Sequence, residues 1–218
     1  MITIHHLENS RSQRVLWLLE ELGVPYDVKR YERLPSLQGP PELRAVHPLG
    51  KSPVLTDGEL TIAETGAIVT YLLDRYGEGR LVPPQDKPEY WRYQHFLHHA
   101  EGSAMPPLFL KLVLSRIPPG VPFFVRPILA KAMQAVDDRL LDPQIANLLD
   151  YWNEALADGW FAGAEFSAAD VMMSFPLEAA GARIGFGNRP RLSAFLAKIH
   201  ARSGYEAALQ RGGPYAYA

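Results

Sequence analysis

The stretch that decides the fold is residues 49–73, "LGKSPVLTDGELTIAETGAIVTYLL". Within it, Val54 and Leu55 form a short apolar run behind Pro53, and Asp57-Gly58 supplies a two-residue turn of the kind that joins antiparallel strands. A second short run ends at Glu64-Thr65, where helical spacing begins: Ile68, Val69, Leu72 and Leu73 share a face and Gly77 lies beyond them. The stretch predicts a β-hairpin that runs directly into a helix. Pro53 is the odd residue, because proline has no N–H for a sheet ladder and is excluded from strand interiors.

Toward the N-terminus, "ITIHHL" at residues 2–7 alternates as a strand. "NSRSQRVLWLLEELG" follows with Val15, Leu18, Leu19 and Leu22 at helical spacing and Gly23 placed as a stop. Pro25 then leads into a second strand, "YDVKRY", so the order is β-α-β, with a right-handed crossover and a parallel pair. "ERLPSLQGPPELRAVHP" is rich in turn residues, with a short helical piece around Glu42–Val46. The first part thus reads βαβ followed by ββα. Beyond the Gly/Pro-rich "GEGRLVPPQDKPEYW" strand patterns vanish, and apolar residues recur at three and four spacing through an all-helical bundle of roughly five or six helices. The expected division is residues 1–78, a linker at 79–88, and a helical domain at 89–218.

Bulk composition narrows the function classes. The 218 residues carry a net charge of -2, which offers no electrostatic case for nucleic acid or an anionic membrane surface. There is no Cys, so disulfides, thiolate metal sites and a protein-borne catalytic thiol are excluded. A reducing cytoplasm is the expected location. The most apolar region, "PPLFLKLVLSRIPPGVPFFVRPILAKAM", is broken by Lys111, Arg116, Arg126 and six prolines, and falls short of the roughly 20 apolar residues that span a bilayer. "MITIHHLENS" has neither the basic start nor the apolar block of a signal peptide. His95 and His99 stand at i,i+4, a spacing that suits a metal, but no third ligand shares their face and no metal is expected.

Four motifs in order, "NSRSQRVLWLLEELGVPYDV", "HPLGKSPVL", "ETGAIVTYLL" and "FAGAEFSAADVMMSFPLE", together with the β-α-β-β-β-α-then-helices order, make the whole chain resemble the glutathione S-transferase superfamily. The last motif is similar to that family's helix-capping motif, with Ser167 and Asp170 in S-x-x-D spacing. The resemblance implies an α/β plus all-α fold, in which a thioredoxin-like domain binds glutathione as cosubstrate and a helical domain receives a hydrophobic electrophile. It also implies a homodimer.

The resemblance carries specific roles. A cis bond before Pro53 would turn the backbone of Ser52 outward to pair with the cysteinyl unit of glutathione as an added strand. Glu64 would accept from the γ-glutamyl ammonium, and Thr65 with its N–H would hold the α-carboxylate at a helix start, where N–H groups are unpaired. Read without the resemblance, the same pair is an ordinary helix start. Gln38 and Lys51 match positions that reach the glycyl carboxylate, and each reads equally as a solvated loop side chain.

With no Cys in the chain, the reactive sulfur must arrive with glutathione, and the protein must lower its pKa. Each pKa unit requires about 1.36 kcal/mol of preferential anion stabilisation. A hydrogen bond to a charged group supplies roughly 1.5–3 kcal/mol, and a helix N-terminus about 0.3–1 kcal/mol. One hydroxyl at the first helix start therefore suffices for one or two units. Ser10 fits the serine-type position of the family, with Asn9 and Ser12 as the alternatives. The tyrosine-type position holds His5, His6 and Leu7, which excludes that mechanism there. Ser10 also reads as a plain N-cap, with Gln13 at capping-box spacing. Arg11 and Arg14 either reinforce the positive field or pair with Glu8, Glu20 or Glu21.

By analogy Met105, Leu108, Phe109, Phe123 and Phe124 are candidate linings of the electrophile pocket, and "GGPYAYA" either drapes over a neighbour or stays loose. The leading expectation is a transferase that joins the thiolate to a hydrophobic electrophile. Glutathione-dependent reduction of disulfides or peroxides and a non-catalytic transferase-like binding module are the alternatives.

Overall fold

The structure, a computed structural model, describes every residue except Leu37, Pro118, Pro119 and Ala218. Four strands, β1 (Ile2–Leu7), β2 (Tyr26–Tyr31), β3 (Val54–Asp57) and β4 (Leu60–Ala63), form one mixed sheet in the order β2-β1-β3-β4. β1 and β2 run parallel, with Ile2 opposite Tyr26 and Leu7 opposite Tyr31. β3 runs antiparallel to both β1 and β4, with His5 opposite Val54 and Val54 opposite Ala63. Asp57-Gly58 makes the turn, Gly58 having φ of 60°, which glycine adopts without a Cβ penalty.

Helix α1 (Ser12–Leu22) connects β1 to β2, and Gly23 ends it in the left-handed conformation, its N–H bonding back to Glu20 and Leu19 carbonyls. α2 (Glu42–Val46) is a single short turn, and α3 (Thr65–Tyr76) leaves the hairpin as its spacing dictates. The helical part contains α4 (Pro88–His99), α5 (Met105–Arg116), α6 (Arg126–Val136), α7 (Asp142–Ala155), α8 (Ala168–Arg183), α9 (Pro190–His200) and α10 (Ser203–Gly212). π-helical turns at Ala100–Ala104 and Asp137–Leu141 fuse α4 to α5 and α6 to α7. Among the described residues, seven α-helices therefore form five continuous runs, which reconciles them with the five or six expected.

Two helices form the centre. α8 is buried from Ala168 to Ala180: it carries apolar residues on every side, and the buried polar groups Asp170, Ser174 and Glu178 are hydrogen-bonded. α1 is buried on nearly every face, including Ser12, Gln13 and Arg14, because it lies between the sheet, α3, α8 and α10. Its periodicity predicts only one buried stripe. Trp17 of α1 packs against Phe166 and Tyr205, with centroids 5.6 and 5.4 Å away. Arg202 grips Glu21 through two bonds of 2.7 Å, a forked geometry that ties α1 to the helical part. Gly212 permits the close approach of α10: a Cβ there would sit 2.4 Å from Gln13 Oε1.

The start of α8 is a full capping box. Asp170 accepts from the Ser167 N–H at 2.8 Å, the Ser167 hydroxyl at 3.0 Å and the Phe161 N–H at 2.8 Å. Burial raises the Asp170 carboxyl to about 6 even though these donors favour the ionised form. No helix among the described residues is long and apolar enough to cross a membrane.

Candidate functional site

Three chain segments meet at the C-terminal end of β1. The first is the loop Glu8–Arg11, which runs from β1 into α1. Asn9 takes a φ of 48°, and the Gln13 N–H bonds the Ser10 carbonyl at 3.2 Å, which starts the helix. Ser10 is buried, and its Oγ accepts from the Ser12 N–H at 3.3 Å, much as a cap would. The expected return bond from Gln13 is missing: its side chain is buried toward α10, with neither polar atom bonded among the described residues.

Ser10 and Ser12 belong to a relay of hydroxyls. Ser10 Oγ lies 2.7 Å from Ser12 Oγ, which lies 2.8 Å from His6 Nδ1. Burial lowers His6 to about 4, with Arg30 adding to the effect and a bond to the Gly212 backbone opposing it. A neutral ring that serves both partners carries its proton on Nε2, toward Gly212, so Nδ1 accepts from Ser12 and Ser12 accepts from Ser10. In this state the Ser10 proton is committed to Ser12.

The second segment is the loop before β3. Its Ser52-Pro53 bond is cis, as expected. Ser52 Oγ donates to the His5 carbonyl at 2.7 Å and accepts from the Leu7 N–H at 3.1 Å, so the loop is pinned to the end of β1. The third segment is the start of α3. One step past the Val54–Ala63 pair, Pro53 and Glu64 are neighbours across the hairpin. Glu64 has φ of 72° and ψ of 124°, an unusual backbone for a residue with a Cβ, and Thr65 behind it is buried. The structure thus brings Ser10, Ser52, Pro53, Glu64 and Thr65 to one end of the sheet. Gln38 and Lys51 are exposed, and among the described residues neither is joined to this group by a hydrogen bond or ion pair.

Glu101, Arg11 and Arg14 complete the surroundings. Glu101, on the π turn between α4 and α5, pairs with Arg11 Nε at 3.0 Å and with the fully buried Arg14, which also donates to the Met172 carbonyl. Both guanidiniums lie near the Phe175 ring, at 6.0 and 5.7 Å. Burial, then the neighbouring Arg11, lowers Arg14 to about 9; burial also lowers Arg11, while Glu64 opposes that shift. The partners considered from sequence were Glu8, Glu20 and Glu21, all nearer in the chain. The π turn, an irregularity common at functional sites, is the feature that brings Glu101 in, and nothing in the apolar spacing signals it.

An open cleft of about 580 Å³ runs between α3 and α4, lined by Glu64, Thr70, Asp74, His98, Glu101 and Met172 among others. The apolar residues expected to line a pocket lie elsewhere: Met105 and Leu108 are packed in the core, and Phe109, Phe123 and Phe124 are 55, 79 and 68 % exposed on the surface. His95 and His99 stack at 5.2 Å, and His99 Nε2 accepts from Trp152 Nε1 at 2.9 Å. No group of three or more His, Asp or Glu among the described residues is arranged to hold a metal.

A two-layer N-terminal unit with a cis-proline loop and a helix start facing a helical bundle defines a thioredoxin-like transferase fold. The family model "Glutathione S-transferase, N-terminal domain" matches residues 1–74. Glutathione S-transferase 3 of Schizosaccharomyces pombe is 38% identical over 181 residues, covering 83% of this chain and 74% of that protein. The crystal structure of a glutathione S-transferase from Actinobacillus pleuropneumoniae superposes with a TM-score of 0.83 at 32% identity, covering 100% of this chain and 95% of the other. A glutathione transferase homologue from Sulfitobacter with bound glutathione shares the fold, with a TM-score of 0.76 at 20% identity, covering 97% of this chain and 98% of that one. The chain belongs to the glutathione S-transferase superfamily.

Proposed function

We propose that this protein is a glutathione transferase that joins the glutathione sulfur to hydrophobic electrophiles. The observation that carries the reading is the convergence of the Ser52-Pro53 loop, the Glu64-Thr65 helix start and the Ser10 hydroxyl on one end of the sheet. Ser52 presents its backbone to the cysteinyl unit while its side chain stays bonded to β1. Glu64 accepts from the γ-glutamyl ammonium, and Thr65 with the unpaired N–H groups of α3 holds the adjacent carboxylate. Lys51 and Gln38, on exposed loops, serve the glycyl carboxylate. Occupation by glutathione has support in the bound tripeptide of the Sulfitobacter homologue.

In the reaction the thiol proton leaves to solvent, the thiolate forms a C–S bond with the electrophile, and the leaving group departs with the C–X electron pair. Ser10 is the donor that stabilises the thiolate. As the anion forms, its hydroxyl proton turns from Ser12 Oγ to the sulfur, and the Ser12 N–H stays on Ser10 Oγ. A charge-assisted bond of this kind contributes roughly 1.5–3 kcal/mol, or one to two units of thiol pKa. A homodimer in a reducing cytoplasm belongs to the same proposal, and sedimentation velocity tests the assembly.

The test is capture on immobilised glutathione combined with turnover of an aryl halide, a hydroperoxide and a mixed disulfide. Wild type is expected to be captured and to conjugate the aryl halide, and Ser10→Ala to lose about tenfold or more in kcat/KM. Capture without turnover of any substrate favours a binding module. Turnover of the disulfide or hydroperoxide alone favours the reductase.

A further inference from the structure

The loop that carries Ser10 is held by residues distant in the chain. Asn9 Oδ1 accepts from the Ala216 N–H at 2.7 Å. A peptide N–H can be met only by the oxygen of an amide, so this contact decides which way the Asn9 side chain is turned. Both Nδ2 hydrogens then face away from Ala216, and among the described residues no acceptor engages them. The segment 213–217 is itself fixed on either side of Ala216. Tyr215 donates to the buried Glu178 carboxylate at 2.5 Å. The Tyr217 hydroxyl accepts from Arg183 at 2.5 Å, and its ring meets Phe175 edge-on at 5.7 Å. From the opposite side Arg33 donates to the Glu8 and Asn9 carbonyls at 3.2 and 3.3 Å. Asn9 is therefore fixed in backbone and in side chain.

We propose that the Ala216 N–H is a positioning group: it fixes the Asn9 amide so that its N–H donors serve the thiolate beside Ser10, which makes residues 213–217 part of the thiol-activating site. The inference rests on the transferase reading and adds a second donor to it. The relay gives the chemical reason. The Ser10 proton is shared with Ser12 before the anion forms, whereas the Asn9 donors meet no acceptor among the described residues. A donor aimed in advance costs no reorganisation at the moment of ionisation.

The experiment titrates the thiolate absorbance of glutathione bound to wild type, Asn9→Ala, Asn9→Asp, Ala216→Pro and the Asn9→Ala/Ala216→Pro double variant. Ala216→Pro removes the N–H, and Asn9→Asp keeps the acceptor for Ala216 while removing the donors. Each single change is expected to raise the bound thiol pKa by about one unit, a roughly tenfold loss of thiolate below that pKa, with glutathione affinity measured below the wild-type bound pKa within about twofold. The double variant is expected to match Asn9→Ala, because both changes act through one amide. A merely structural role for the segment would lower the melting temperature without moving the thiol pKa. An unmoved pKa in Ala216→Pro that still folds and binds glutathione, or an additive double variant, overturns the inference. Failure of wild type to bind glutathione overturns the transferase reading instead.

Discussion

Asp170 shows how much one side chain determines. It accepts three hydrogen bonds at the head of the central helix, two of them from buried backbone N–H groups. Asp170→Ala strands those donors at about 1–3 kcal/mol each, offset by the carboxylate's own burial cost. The expected loss is about 3 kcal/mol, read as a lower urea midpoint; an unchanged midpoint would show the cap to be dispensable. Its partner Ser167 is legible in sequence because S-x-x-D ahead of an apolar run has a mechanism. Ser10 and Gln13 have similar spacing and form no reciprocal bond, because the burial of α1 against α10 claims the glutamine first.

The elements themselves were legible wherever periodicity is a local property. β1 through β4, α1 and α3 lie where the alternation, the Asp-Gly turn and the apolar spacing put them. The two π turns were not, since one extra residue in a turn leaves the apolar pattern nearly intact. That extra residue has energetic weight at Glu101, which faces α1 across the interface between the two halves. Glu101→Gln removes the carboxylate paired directly with the buried Arg14 and leaves Glu178 as the remaining carboxylate that attracts it. A fully buried broken pair costs about 3–5 kcal/mol, and the partial exposure of Glu101 reduces the expected loss to about 2 kcal/mol. Arg14→Met in that background should recover part of it, because a neutral side chain of similar length needs no partner. Chemical denaturation of the two variants decides the point, and no recovery in the double variant would contradict it.

Across the whole molecule, titration couples distant parts. His6 and His99 are both held down to about 4 in the folded state, by burial first, against 6.5 when unfolded. Between pH 6.5 and 4 the unfolded chain binds protons that the folded histidines refuse, so their contribution is present above 6.5 and is lost as pH falls. Asp170, raised from 3.8 to about 6, works in the opposite sense through most of that window, from pH 6 downward. Two groups outweigh one, and urea midpoints should fall from pH 7 to pH 4.5. His99→Gln keeps an acceptor for Trp152 and cannot charge, so its decline should be shallower; an equal slope would remove His99 from the account. Such long-range effects were the least legible feature of the sequence. The sheet end that gathers Ser52, Glu64 and Thr65 follows from neighbouring motifs, whereas Glu178 receiving Tyr205 and Tyr215 depends on how helices pack after the elements exist.

The clasp between Asn9 and Ala216 joins positions 207 residues apart. Synthesis adds about 5–20 residues per second, so the ribosome releases the first strand and helix many seconds before it makes the peptide that pins the loop between them. A released chain ending just before Gly213 would hold most of its hydrophobic interior and still leave that loop unfastened. The fastening of that loop therefore waits on a peptide made long after both of the elements that flank it.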